Sequence, residues 1–155
     1  MGSFSFKSSG KTQSQRLADT LNSTTIPIGI KTPLRLGTSE GLLAMNSTLA
    51  DQIHDNFRNL LQTNFGEHLG IYDFGTNLRP LVTEFVSQDD FDTQAIDRIK
   101  VAVARWMSFI DLDSFSSTVD RTANKNTAII NITITYNIPT LNVTGKVLQV
   151  TLYVI

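Results

Sequence analysis

Residues 128–136 read Ala-Ile-Ile-Asn-Ile-Thr-Ile-Thr-Tyr. Ile130, Ile132, Ile134 and Tyr136 alternate with Asn131, Thr133 and Thr135. Strand side chains point to opposite faces in turn, so a period of two predicts a strand with one apolar and one polar face. The pattern returns at residues 147–155, with Leu148, Val150, Leu152 and Val154 on one face. Pro139 and Gly145 lie between, so residues 137–146 read as a loop or a bent, edge-like piece. Residues 110–120 supply a further strand, and Ala-Asn-Lys-Asn at 123–126 a turn. The last third of the chain is therefore a mostly antiparallel sheet ending in a β-hairpin.

Upstream the period changes. Ile96, Ile99, Val103, Trp106 and Ile110 recur at helical spacing, which predicts a helix from about Thr93 to Met107. The acidic link 87–93 caps it through Asp92 or Thr93, since negative groups favour a helix N-terminus. Trp106 is expected to pack on the sheet with Ile99, Val103 and Ile110; the other reading is a ligand platform. Leu49, Ile53, Phe57, Leu60 and Leu61 mark an earlier amphipathic helix, running to about Thr63. Ser47 or Thr48 reads as its N-cap, with Asp51 at capping-box distance from Thr48. His54 and Arg58, one helical step apart on another face, read as a solvated pair.

Residues 64–77 form a loop punctuated by Gly66, Gly70 and Gly75. Its apolar content (Phe65, Leu69, Ile71, Tyr72 and Phe74) predicts a loop folded onto the core. Leu78, Leu81, Val82 and Phe85 then give a short helical face. Residues 26–46, with Pro27, Gly29, Pro33, Gly37 and Gly41, suit short extended pieces and turns. The run 42–45 is a short strand or the entry to the next helix. Residues 1–25 are polar and read as a flexible arm, with Phe4 and Phe6 as scatter or anchors, ahead of one domain over 26–155. The fold class is α+β: two main helices packed on a mostly antiparallel β-sheet.

Composition narrows the function. The 155 residues suffice for one domain with its own core. Without cysteine, disulfides, thiolate metal sites and thiol nucleophiles are excluded. A formal charge of −1 gives no electrostatic drive toward nucleic acid or anionic membrane. No apolar run approaches a membrane span, and the first ten residues lack the apolar centre of a signal peptide. Nucleotide-loop, nucleophile-elbow and zinc-protease signatures are missing. Glycoside hydrolysis needs paired carboxylates, one with a raised pKa. Only Glu40, Glu67 and Glu84 are glutamates, and Glu67 or Glu84 with Asp73 would be the pair to test. Asp111 and Asp113, two apart on one strand face, could hold a hard cation but read as solvated edge residues. No catalytic, cofactor or metal residue is assigned, and no enzymatic turnover is expected.

The middle of the chain resembles a known family. A helix ending in Arg58-Asn-Leu-Leu-Gln-Thr63 is followed by Gly66, then Phe74-Gly75, Leu78, an acidic link and a second helix. This is similar to the lysozyme-like baseplate wedge family of contractile phage tails, which has relatives in type VI secretion baseplates and other contractile injection systems. Leu60, Leu61, Thr63, Gly66, Phe74, Gly75 and Leu78 match its signature in type and spacing, and the element order matches from about residue 40 to 155. The family's loop Arg is His68 here, and its Phe-x-Pro segment reads Gly70-Ile71-Tyr72. Met107-Ser108-Phe109 stands where a Glu-Pro-Arg triplet often follows the second helix, so contacts made through that triplet are left open.

The resemblance implies a structural protein of the virion tail baseplate, assembled in the host cytoplasm. Implied partners are other wedge proteins, the tail sheath subunit, and the tail tube or hub. Neither a cofactor, nucleic acid nor membrane is implied. The matched residues are read as keeping the fold. The implied mechanism is initiation of sheath assembly by β-augmentation, with Thr151, Val154 and Ile155 as the candidate junction. The competing class is a peptidoglycan-degrading, lysozyme-like hydrolase, after an old attribution reflected in the family's name.

Overall fold

A computed structural model describes residues 12–14, 17, 26–37, 41–84, 88–121 and 128–154. The turn expected at 123–126, the side chains of Val82 and Glu84, and residues Phe85 and Ile155 lie outside the described residues, as does most of the 1–25 arm with Phe4 and Phe6. Backbone contacts divide the chain into two compact units, one up to Gln52 and one from Ile53.

In the first unit, β1 (Gly29–Ile30) pairs antiparallel with β2 (Met45–Asn46). An isolated bridge joins Leu36 to Leu43, so the 42–45 run is extended. The amide of Asn46 donates from Nδ2 to Gln52 Oε1 at 3.2 Å.

Helix α1 (Leu49–Gln62) starts where the capping box predicts. The Asp51 amide donates to Thr48 Oγ1 at 3.2 Å, and Thr48 Oγ1 donates to Asp51 Oδ2 at 2.6 Å. A cap of this kind stabilises a helix by about 1 kcal/mol. Ile53, Phe57, Leu60 and Leu61 are buried; Leu49, on the same stripe, is half exposed at the helix start.

The second unit places α2 (Arg79–Glu84) and α3 (Gln88–Trp106) ahead of three long strands, β3 (Asp111–Arg121), β4 (Ala128–Ile138) and β5 (Val143–Val154). They form one antiparallel sheet in the order β3-β4-β5. Ile130, Ile132, Ile134, Tyr136, Leu148, Val150 and Leu152 all lie in the core, as the alternation requires. Each such side chain contributes roughly 1.5–3 kcal/mol on leaving water. A 3-10 turn, Pro139–Leu141, precedes β5, and Asn142 adopts φ 52° to complete the connection. The fold is α+β.

Helix α3 begins earlier than the expected Thr93. Asp89 and Asp90 occupy its first turn, where they favour the positive helix end from inside. Neither Asp92 nor Thr93 is the cap. Thr93 donates back to the Asp89 carbonyl at 2.9 Å, and Asp92 accepts a hydrogen bond from Ser117, a nearly buried hydroxyl on the sheet's inner face.

Candidate functional site

Order β3-β4-β5 leaves two edges, and they differ. On β3 the register shifts between Leu112 and Ser114, which makes Asp113 a bulge residue, and Asp111 and Asp120 add further charge. Bulges and charges are standard protection against strand addition. Because of the bulge, Asp111 and Asp113 do not share one regular strand face. Strand β5 also has a register shift, between its pairs Ile138↔Val143 and Tyr136↔Lys146, and from there to Ala128↔Val154 it pairs with β4 without a shift. Lys146 is its single charged residue. On its open face Val147 and Tyr153 are 51% and 63% exposed. Thr151 is exposed there too, donating from Oγ1 to Asn131 Oδ1 at 2.9 Å. The backbone of Val154 ends the strand.

The family-motif residues surround a loop with a closed neck. The Thr63 carbonyl accepts the amides of Thr76 at 3.2 Å and Asn77 at 3.3 Å. Buried Thr76 donates from Oγ1 to the Leu61 carbonyl at 2.9 Å. Gly75, at φ 115°, passes directly over Thr63: a Cβ there would stand 2.2 Å from the Thr63 oxygen. Gly66, at φ 84°, donates its amide to the Tyr72 carbonyl at 2.7 Å. Leu60, Leu61 and Leu78 are buried beneath the neck, and Thr63 Oγ1 donates to the Asn59 carbonyl at 2.6 Å. This is an Ω-loop.

The loop is not folded onto the core. Leu69 is 97% exposed and Tyr72 75%, with Phe65 and Ile71 also open; only Phe74 packs inward. Its shape comes from backbone hydrogen bonds across the neck and between Gly66 and Tyr72, so its apolar side chains need no burial to hold it. Trp106 packs against the core that holds Ile99, Val103 and Ile110, as expected, but at its margin. It is partly buried, and its ring meets Phe74 edge-on at 5.4 Å. The Arg105 guanidinium lies over the ring at 4.8 Å while pairing with Asp73 at 2.5 Å. Phe65, Val101 and Trp106 line a cleft of about 380 Å³ between the loop and α3.

Of the candidate carboxylates, Glu67 and Asp73 are described, and each is engaged by an arginine. Glu67 accepts the Asn64 amide at 2.8 Å and Asn64 Nδ2 at 2.9 Å, and it lies 3.6 Å from Arg79. The Asn64 backbone bond, then the side-chain bond, then Arg79, hold its carboxyl below the ordinary value of 4.5. A general acid needs the opposite shift. Asp73 is engaged with Arg105, and Glu84's side chain lies outside the described residues. Among the described residues no cluster of His, Asp or Glu is arranged to hold a metal.

His54 and Arg58 are not a solvated pair. Arg58 Nη2 donates to His54 Nε2 at 3.2 Å, and Arg58 lies 3.5 Å from Asp55. A guanidinium only donates, so the ring proton sits on Nδ1 and points at the buried Tyr136 hydroxyl, 2.8 Å away. This chain links helix to sheet. Helical spacing reveals the Arg58 half; nothing local reveals Tyr136.

No protein-family model matches the chain, and no curated protein sequence matches it. Solved structures do. A crystal structure described provisionally as a tail lysozyme, from Geobacter sulfurreducens, superposes with a TM-score of 0.53 at 23% identity, over 72% of this chain and 96% of that one. A chain of the baseplate of the anti-feeding prophage superposes with a TM-score of 0.51 at 12% identity, over 87% and 89%. The fold is shared. In the described residues no helix is long and apolar enough to cross a membrane.

Proposed function

We propose that this protein is a structural component of a contractile-tail baseplate wedge, and that it initiates sheath assembly by accepting a strand at the outer edge of β5. The observation that carries the reading is the contrast in charge between the two sheet edges: each strand has one register shift at the Tyr136–Ile138 end of β4, but β3 carries Asp111, Asp113 and Asp120, whereas β5 carries Lys146 alone and runs without a shift from there to Val154. A regular edge offers alternating amides and carbonyls to an incoming strand, which supply affinity, while side-chain alternation sets register. The fold shared with a chain of a prophage baseplate supports the assembly context. Partners in this reading are other wedge proteins and the sheath subunit, with the tube or hub as further neighbours. The matched residues from Leu60 to Leu78 hold the loop neck and core.

The test is sheath nucleation on baseplates in vitro, scored by electron microscopy. Deleting Val154 and Ile155 shortens the edge. Proline at Val150 and, separately, at Thr151 removes adjacent amides, of which one faces β4 and the other faces outward. The reading requires the folded variant lacking the outward amide to enter baseplates and fail to nucleate sheath. Normal nucleation by that variant and by the deletion removes β5 as the junction and makes residues 1–25 the contact to test.

A second reading has one observation behind it, the tail lysozyme description of a structural neighbour. Release of soluble peptidoglycan fragments, abolished by Glu67→Gln or Glu84→Gln, would establish it. The lowered pKa of Glu67 is the wrong sign for the acid.

A further inference from the structure

Residues 147–153 of β5 read Val-Leu-Gln-Val-Thr-Leu-Tyr, a chemical palindrome about Val150. Moving outward from Val150, Gln149 is matched by Thr151, Leu148 by Leu152, and Val147 by Tyr153. We propose that a second copy of this chain pairs with β5 along the same edge, antiparallel, with its two-fold axis at Val150. Such contacts are isologous, so whatever one residue meets, its counterpart meets in return.

The pairing satisfies each constraint the edge imposes. Antiparallel registry about Val150 joins residues whose numbers sum to the same value, so every pair shares one face of the sheet. On the inner side Leu148 meets Leu152 of the second copy, matching the buried character that both already have. On the open face Val147 meets Tyr153 of the second copy. Among the described side chains of β5 these are the two large apolar ones left exposed, and aromatic–β-branched pairs are among the favourable cross-strand combinations. Gln149 meets Thr151, a neutral polar pair. Lys146, the strand's one charge, falls opposite Val154 and far from its own symmetry mate. At the other edge β3 carries Asp111, Asp113 and Asp120, charges that disfavour strand addition. The two-fold stands perpendicular to the sheet, so the result is one continuous sheet with both helical layers on the same side. An exposed regular edge invites uncontrolled strand addition, and self-pairing closes it.

The inference shares with the sheath reading only the premise that β5 is open; it would hold the free protein's edge until a sheath strand replaces the second copy. The experiment is sedimentation velocity on the full chain. One ladder is a small interface, so the expected dimer dissociates in the range of roughly 1–100 µM. Gln149→Lys with Thr151→Lys sets like charges opposite each other at both symmetric pairs and should weaken the dimer by at least about tenfold. Gln149→Lys with Thr151→Glu sets opposite charges at those same pairs and should restore it. Circular dichroism confirms that each variant is folded. A wild-type protein that is monomeric at about 500 µM, or a charge-complementary variant no more dimeric than the like-charged one, overturns the proposal. A dimer that does not nucleate sheath keeps this inference and loses the sheath reading; a monomer that nucleates sheath does the reverse.

Discussion

Gly75→Ala adds a single methyl group, and the structure gives two separate reasons for it to destabilise. The first is backbone conformation. At φ 115° an L side chain is strained, which costs of order 1–3 kcal/mol. The second is contact. The new Cβ would stand 2.2 Å from the Thr63 carbonyl oxygen and 2.8 Å from its carbon, so something must shift. That oxygen is the acceptor for both Thr76 and Asn77 amides. Displacing it weakens two hydrogen bonds, each worth about 1 kcal/mol net. Together the terms give roughly 3–5 kcal/mol, at the upper end for single substitutions. Gly70→Ala separates them. Gly70 has φ 84°, and a Cβ there meets nothing within 4 Å. It should carry the conformational cost alone, about 1–2 kcal/mol. Urea denaturation of both variants reads the difference. If Gly75→Ala costs no more than Gly70→Ala, the carbonyl is not the constraint, and the account of the neck as a backbone clamp fails.

Trp106→Ala should cost about 2 kcal/mol, below the value for a fully buried aromatic, because its ring is only partly covered; chemical denaturation that returns 4 kcal/mol or more would put the ring in the core after all. Asp92→Ala removes the carboxylate that accepts the Ser117 hydroxyl and should cost roughly 1–3 kcal/mol, whereas Asp92→Ala combined with Ser117→Ala should cost less than the sum of the single changes in a double-mutant cycle. Glu67 titrates below its ordinary value of 4.5 in the folded chain, so its contribution is present above that value and is lost as pH falls through the lower, folded one. Acid titration of stability should therefore show a smaller decline in Glu67→Gln than in the wild type; equal declines would mean that the Asn64 bonds do not persist in solution.

The parts of the fold that the sequence discloses are those with a short-range cause. Alternation in 130–136 and 148–152 needs only the pleat and one buried face, and the strands lie where it puts them. Thr48 and Asp51 cap α1 because a capping box is complete within four residues. The start of α3 was ambiguous on the same grounds, since acidic residues suit both a cap and a first turn, and only the tertiary bond from Ser117 shows which role Asp92 has. For the loop, composition misled: apolar content predicts burial when packing shapes a loop, and here the neck's backbone bonds do so. The link from His54 to Tyr136 spans 82 positions and has no local signature. At the candidate site, the β5 edge follows from topology; its difference from β3 in charge is legible in the sequence, whereas the register shift that each edge strand carries has no pattern to announce it.

Closing the loop at its neck has an evolutionary consequence. Thr63, Thr76 and Asn77 fix where residues 64–75 leave and rejoin the core, and of the loop's apolar side chains Phe74 alone packs on it. The entropy of closing a loop grows only slowly with its length, by about 0.6 kcal/mol for each doubling. Leu69 and Tyr72, standing out in solvent, bear on no buried contact that the domain needs. The tip can therefore drift, lengthen or be replaced while Gly75 and Thr63 stay, in the way that variable loops ride on a constant framework. Descendants of one such domain could part company in what their tips meet long before their folds diverge.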